Sequence, residues 1–185
     1  LLAPAMDNEL RQELKRRADV EIVTVCARTL RALLLQPPLG PKPVLAIEPA
    51  PGVGLKLAVL DAAGKLLLHA ILTPDKSADD RTTAAEALAK HIREHQVVAV
   101  AIGDGPGSRE TDLFVREALK TAGLNDVFAV VVHLHGAAQA VREETSVDAA
   151  ARGAVALGHY LQDPLAELVK LDPVHMPVGQ HQHDV

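Results

Sequence analysis

The chain is poor in rings: it has no Trp, one Tyr and two Phe, so Phe114, Phe128 and Tyr160 are its whole aromatic complement. A self-sufficient single-strand platform stacks bases on successive aromatic side chains, and so few scattered rings do not supply one. Basic residues are not in excess either. Nineteen Lys and Arg stand against 24 Asp and Glu, for a formal net charge of −5. A domain that grips nucleic acid alone neutralises several phosphates from a basic face, so tight direct binding of DNA or RNA is disfavoured. Cys26 is the only cysteine, which excludes an internal disulfide and a Cys-rich zinc site and accords with a reducing cytosol. As a lone thiol on a helix, it is expected to be a small buried apolar side chain. No apolar run approaches the ~20 residues of a membrane span, and no basic stretch precedes an apolar leader. A soluble, cytoplasmic chain with no membrane partner is expected. Dinucleotide and phosphate-loop glycine motifs are missing, as are internal repeats. The first residue is Leu1 rather than Met, and the chain stops at Val185 after a His- and Gln-rich stretch, so both ends read as cuts through a longer polypeptide.

What is present is 48% hydrophobic, mostly Ala, Val and Leu, over 185 residues, enough for one domain of ~100–150 residues and an extension. Residues 7–36 read as one long helix: Asp7 can cap it, and Leu10, Leu14, Ala18, Ile22, Val25 and Leu33 form an apolar stripe that needs a partner surface. Pro37-Pro38 stop it, and the Gly- and Pro-rich segment 39–43 links it to the first strand. The runs 44–48, 55–61 and 65–73, the last two flanking Ala62-Ala63-Gly64, predict three antiparallel strands. Next come helical spacing at Ala85, Leu88, Ala89 and Ile92, a buried strand over 97–102, helical spacing again at Val115, Ala118, Leu119 and Ala122, and a strand over 127–132. A helix over 148–161 and a shorter one opened by Asp163-Pro164 complete the pattern. Hairpins followed by strand-helix units predict an α/β fold with a mixed sheet covered by helices.

Certain stretches carry a resemblance. Gln162-Asp163-Pro164-Leu165-Ala166-Glu167-Leu168-Val169-Lys170-Leu171-Asp172-Pro173 and Val178-Gly179-Gln180-His181-Gln182-His183-Asp184-Val185 closely resemble the end of the YqgF/RNase H-like domain of Tex-family transcription accessory proteins, where that domain leads into a helix-hairpin-helix region. Ala101-Ile102-Gly103, Ser108-Arg109-Glu110-Thr111, Arg152-Gly153-Ala154-Val155 and the run Leu30-Arg31-Ala32-Leu33-Leu34-Leu35 support it. The resemblance implies an RNase H-like mixed sheet of about five strands flanked by helices, with a long N-terminal helix. Residues 1–38 would be a linker helix, 39–173 the YqgF/RNase H-like domain, and 174–185 a tail leading to a helix-hairpin-helix region. It further implies that nucleic acid is engaged by modules outside this chain, helix-hairpin-helix and OB-fold among them, with RNA polymerase a candidate partner.

A nuclease of this superfamily holds one or two Mg²⁺ ions with converging carboxylates, because a hard dication takes oxygen ligands and two metals can stabilise both the attacking and the leaving oxygen. The family pattern puts the first acid on strand one, where this chain has Glu48 in Ile47-Glu48-Pro49 in place of the usual Asp. The second falls in His133-Leu134-His135-Gly136-Ala137, with Leu134 where the pattern has Glu; the third region offers Asp148. Glu48 reads either as a ligand one methylene too long or as a solvated strand-end acid, and Asp148 as a ligand or a helix cap. His133 and His135, alternate residues of a strand, and the tail residues His181 and His183 could chelate a metal, although polar strand-end and packing roles are the plainer readings. The loop 103–108 follows a buried strand and opens a helix, which makes Ser108 and Arg109 weak candidates for contact with a phosphate or an RNA backbone, opposed by Asp104 and Glu110. The leading expectation is a non-catalytic scaffold with no resident cofactor. The alternatives are a Mg²⁺-dependent nuclease or Holliday-junction-resolvase-like enzyme using Glu48, Asp148 and a further acid such as Asp104, and an RNA-binding module acting through the 103–109 loop.

Overall fold

A computed structural model of the chain describes residues 2–74, 77–133 and 151–171. The first three expected strands form β1 (Val44–Ala50), β2 (Gly54–Leu60) and β3 (Leu66–Leu72), paired antiparallel in succession. The turn at Ala62-Ala63-Gly64 is closed by the Asp61 carboxylate, which accepts hydrogen bonds from the backbone N–H of Ala63 at 2.8 Å and of Lys65 at 2.9 Å, the way Asp substitutes for a backbone acceptor in tight turns. The chain then runs through α2 (Ala78–Glu94), β4 (Ala99–Gly103), α3 (Ser108–Thr121), β5 (Phe128–Val132), α4 (Arg152–Gln162) and α5 (Pro164–Leu168). β4 lies parallel to β1, and β5 parallel to β4, so the sheet order is β3-β2-β1-β4-β5.

Successive strand residues point to opposite faces, and both faces are covered. Leu45, Ile47, Leu57, Val59, Val100 and Ile102 pack under α2 and α3 against Leu88, Ile92, Phe114 and Val115. The other face presents Val44, Ala46, Ala58, Leu60, Ala99 and Ala101 to α4. These are mostly alanines, and the helix comes correspondingly close: a Cβ added at Gly158 would lie 2.5 Å from Leu60 Cδ1. Burial on both faces explains why β1, β2 and β4 read as apolar runs, whereas edge strand β3 alternates half-buried with exposed positions.

Several expectations are corrected. β4 starts at Ala99 rather than Val97 because the Val97 N–H closes the end of α2 by donating to the Ile92 carbonyl at 3.0 Å. The helix α1 spans Leu2–Leu34, so Asp7 lies inside it and cannot cap it; its carboxylate accepts instead from Arg11 one turn on, at 3.4 Å. Its apolar stripe does not pack along its length. Leu10, Leu14, Ile22 and Val25 are exposed, and the part that docks is the last turns, where Leu30, Leu33 and Leu34 meet the α4-side core. The helix ends just before Pro37-Pro38, and only residues close to that stop reach the sheet. Cys26, expected to be buried, is half-buried. The linker is fastened: the Leu39 and Gly40 N–H groups donate to the Leu161 and Gln162 carbonyls, both at 3.1 Å, and the Tyr160 hydroxyl donates to Gln36 Oε1 at 2.7 Å. Helix α4 runs from Arg152 with Ala151 as its N-cap; residues 148–150, where the helix was expected to begin, including Asp148, lie outside the described residues. Helix α5 is as expected, with the Asp163 carboxylate accepting from the Ala166 N–H at 3.1 Å and Pro164 in the first turn.

Candidate functional site

In an open α/β sheet the ends of the parallel strands are where ligands bind, because the loops there leave a crevice. Here the C-terminal edge of β1, β4 and β5 brings together Glu48, Gly103-Asp104 and His133. Glu48 stands directly across from Lys56 on β2, on the same face, and accepts from Lys56 Nζ at 3.5 Å. Both side chains are about two-thirds buried, at 32% and 26% exposure, so this pair is better shielded than a rim contact. Below it lies α4. A Cβ at Gly153 would collide with the Glu48 carboxylate, so the acid rests on the bare backbone of the helix's first turn. The N-cap, Ala151, offers no side-chain acceptor, and an anion against a helix N-terminus is stabilised by the free N–H groups and the dipole there. Lys56 and the α4 N-terminus therefore answer the charge of Glu48. Sequence reasoning missed both neighbours. The signal for Lys56 was the β1–β2 register; for Gly153 there was only a glycine in the first turn of an otherwise Ala- and Val-rich helix.

Asp104 continues from β4, mostly buried, and His133 from β5, mostly exposed; His133 Nδ1 and Asp104 Oδ2 are 3.0 Å apart. His135, which the sequence reading set beside His133, lies outside the described residues, as do Leu134, His181 and His183. Glu48, Asp104 and His133 do not draw together into a ligand cluster; the one grouping of three His, Cys, Asp or Glu side chains among the described residues lies elsewhere, at the end of α2. Of the three positions where the family pattern puts its acids, only that of Glu48 lies within the described residues.

The loop 103–108 ends in Gly107, which is the N-cap of α3 at φ +88 and gives no side-chain cap. The Ser108 N–H donates back to Gly105 at 3.0 Å, and Arg109 is exposed in the first turn. A cleft of about 420 Å³ runs between this turn and the β1–β2 turn, lined by Pro49, Pro51, Pro74, Pro106, Glu110, Phe114 and small residues. Among the described residues that line it there is no Lys or Arg, and Glu110 adds a negative charge. Arg109 does not line this cleft, so the lining holds no cation to attract a phosphate.

Three antiparallel strands followed by two parallel ones, in the order β3-β2-β1-β4-β5 with helices on both faces, define an RNase H-like fold. A profile of the Tex protein YqgF-like domain matches residues 42–162, and the chain belongs to that family. It is 40% identical over 190 residues to uncharacterized protein YdcI of Bacillus subtilis (strain 168), covering all of this chain and 26% of that protein. It is 39% identical over 187 residues to the transcriptional accessory protein Tex of Neisseria gonorrhoeae, covering 98% of this chain and 24% of that one. It is also 30% identical over 193 residues to the human S1 RNA-binding domain-containing protein 1, covering 100% of this chain and 19% of that one. The chain thus spans about a quarter of the length of its bacterial relatives. Among solved structures, Thermus thermophilus RuvC is similar at 20% identity and a TM-score of 0.42, over 72% of this chain and 85% of that one.

Proposed function

We propose that the chain is a non-catalytic RNase H-like scaffold within a transcription accessory protein, a cytoplasmic domain that positions nucleic-acid-binding modules lying elsewhere in the protein and offers a surface to RNA polymerase. The observation that carries this reading is the state of Glu48. A metal-binding acid must be open to a cation, whereas this one is paired with Lys56 and seated on the first turn of α4. The accessory name of the relative from Neisseria gonorrhoeae and the RNA-binding name of the human one support the setting, and the relatives' greater length leaves room for the modules. The acidic net charge and scarce rings support a reading in which nucleic-acid affinity lies in other modules.

The test is a fluorescence-anisotropy titration of the chain with single-stranded and duplex RNA and DNA at physiological salt. Binding no tighter than the non-specific range, about 10⁻⁶ to 10⁻⁴ M, is expected. Sub-micromolar affinity that falls when Arg109 is replaced by Ala would transfer the role to a binding module built on the α3 N-terminus.

A further inference from the structure

We propose that the C-terminal end of α2 is a binding site for a zinc-class dication, held by His91, Glu94 and His95, with solvent completing its coordination. In the sequence His91-Ile92-Arg93-Glu94-His95, positions one, four and five share a helical face. Their ligand atoms all lie within 4.8 Å of one another, so modest rotamer changes bring them to the ~2.0–2.2 Å bonds of a zinc site. Two imidazoles and a carboxylate make a borderline donor set, which suits Zn²⁺ rather than Mg²⁺, and a three-ligand set leaves positions for water.

The ring of His91 has an unmet nitrogen, and Glu94 has only loose ion pairs. Nδ1 of His91 is buried without a hydrogen-bond partner, a rare condition that calls for an explanation in a folded protein. The carboxylate that faces it, Glu94 Oε2, stands 3.9 Å away, beyond hydrogen-bond reach. The other Glu94 oxygen is 3.7 Å from Lys90, which is also a loose pair. Arg93, the remaining nearby cation, is turned away to the Ala122 carbonyl at 2.8 Å. A dication between the imidazoles and the carboxylate would give the orphaned nitrogen its partner.

The backbone holds the face in place. Gln96 adopts φ +52, the chain's single non-glycine residue with positive φ among those described. Gln96 N–H donates to Arg93 at 3.3 Å and Val97 N–H to Ile92 at 3.0 Å, the paired bonds of a Schellman ending, which usually has glycine at the position of Gln96. This ending fixes His95 as the C-cap and turns the chain into β4. The negative end of the helix dipole lies there too, which favours a cation. The cluster sits where α2 leads into β4, at the opposite edge of the sheet from Glu48, and is independent of the scaffold reading. The same residue order occurs on a helix in one class of metallopeptidases, where the two His hold zinc and the Glu is the general base, so the parallel supports His91 and His95 as ligands. No further His, Cys, Asp or Glu among the described residues joins the three, so the inference is binding rather than hydrolysis.

The experiment is calorimetric titration of the untagged, chelator-treated 185-residue chain with Zn²⁺, alongside His95→Ala, Glu94→Gln and the tail variant His181→Ala/His183→Ala. Among the described residues the side chains of His95 and Glu94 make no hydrogen bond, His95 capping α2 through its backbone N–H, and a thermal melt of each variant without metal checks that it folds as the parent does. One site is expected, weakened at least ~10-fold by either α2 substitution and unchanged by the tail variant. Zn²⁺ should also raise the melting midpoint of the parent and not that of His95→Ala, because binding to the folded state alone stabilises it. The idea is overturned if Zn²⁺ does not bind, or if binding survives in His95→Ala and Glu94→Gln and is lost in the tail variant.

Discussion

Replacing Gly153 by alanine would push a methyl group into the space held by the Glu48 carboxylate. Overpacking a filled site typically costs about 1–3 kcal/mol, and a loss of that size is expected in denaturant melts of Gly153→Ala. Shortening the acid with Glu48→Ala should relieve most of it, so the double variant should be more stable than the sum of the single effects. Strict additivity would mean that the acid does not rest on this helix. The single tyrosine provides a second residue-level test. Burial pushes the Tyr160 phenol above its ordinary value of 10.0. The unfolded chain therefore loses this proton at lower pH than the folded chain does. The corresponding stability is intact below pH 10 and declines as pH rises through the folded-state value. Tyrosinate absorbance should rise later than in a denatured sample, and Tyr160→Phe should lose less stability between neutral and strongly alkaline pH. Coincident folded and denatured titrations would contradict the burial of the Tyr160 phenol. At this scale, local signals were legible: Asp163 before Pro164 announced a cap, and it caps. The surroundings of Glu48 were not, because Lys56 reaches it by cross-strand register and Gly153 by tertiary packing.

At the scale of elements, α1 separates what periodicity reveals from what it cannot. Its helical nature was plain from the sequence, and its stripe was expected to pack against this domain or a neighbouring one; on this domain only the last turns dock, and the rest of the stripe is exposed in this chain. The proline pair just beyond the helix decides this, since it confines the contact with the sheet to the last turns. Deleting residues 2–25 should therefore shift the melting midpoint by no more than about 2–4 °C, the change that ~1 kcal/mol produces at this size. Leu30→Ala with Leu33→Ala should cost about 2 kcal/mol, because those side chains are half-buried against the α4-side core. A large loss on deletion with none from the leucine pair would reverse that division. The strands were easier to read. Burial on both faces gives continuous apolar runs whose type, unlike their exact ends, does not depend on distant partners. The end of α2 blurred one such boundary by drawing Val97 into its own closure.

For the whole molecule, fold and family were legible because the order of elements and the stretch from Gln162 to Lys170 are both local in sequence. The structure gives that stretch a mechanical meaning. The Gln162 amide donates to the Lys42 and Asp61 carbonyls at 2.8 and 2.7 Å and so ties the linker and the end of β2 to α4, while the buried Glu167 carboxylate accepts from Lys170 at 2.6 Å and closes the last turn locally. Catalytic capacity was less legible, since it depends on whether acids distant in sequence meet. Glu48 and Asp104 reach the same sheet edge without forming a ligand cluster, and Glu48 is already engaged. Incubating the chain with single-stranded, duplex and four-way-junction DNA and RNA in Mg²⁺ or Mn²⁺, beside Glu48→Ala, measures the consequence directly. No cleavage above that of the Glu48→Ala chain is expected with any substrate, whereas metal-dependent cleavage by the parent that disappears in Glu48→Ala would contradict the scaffold account.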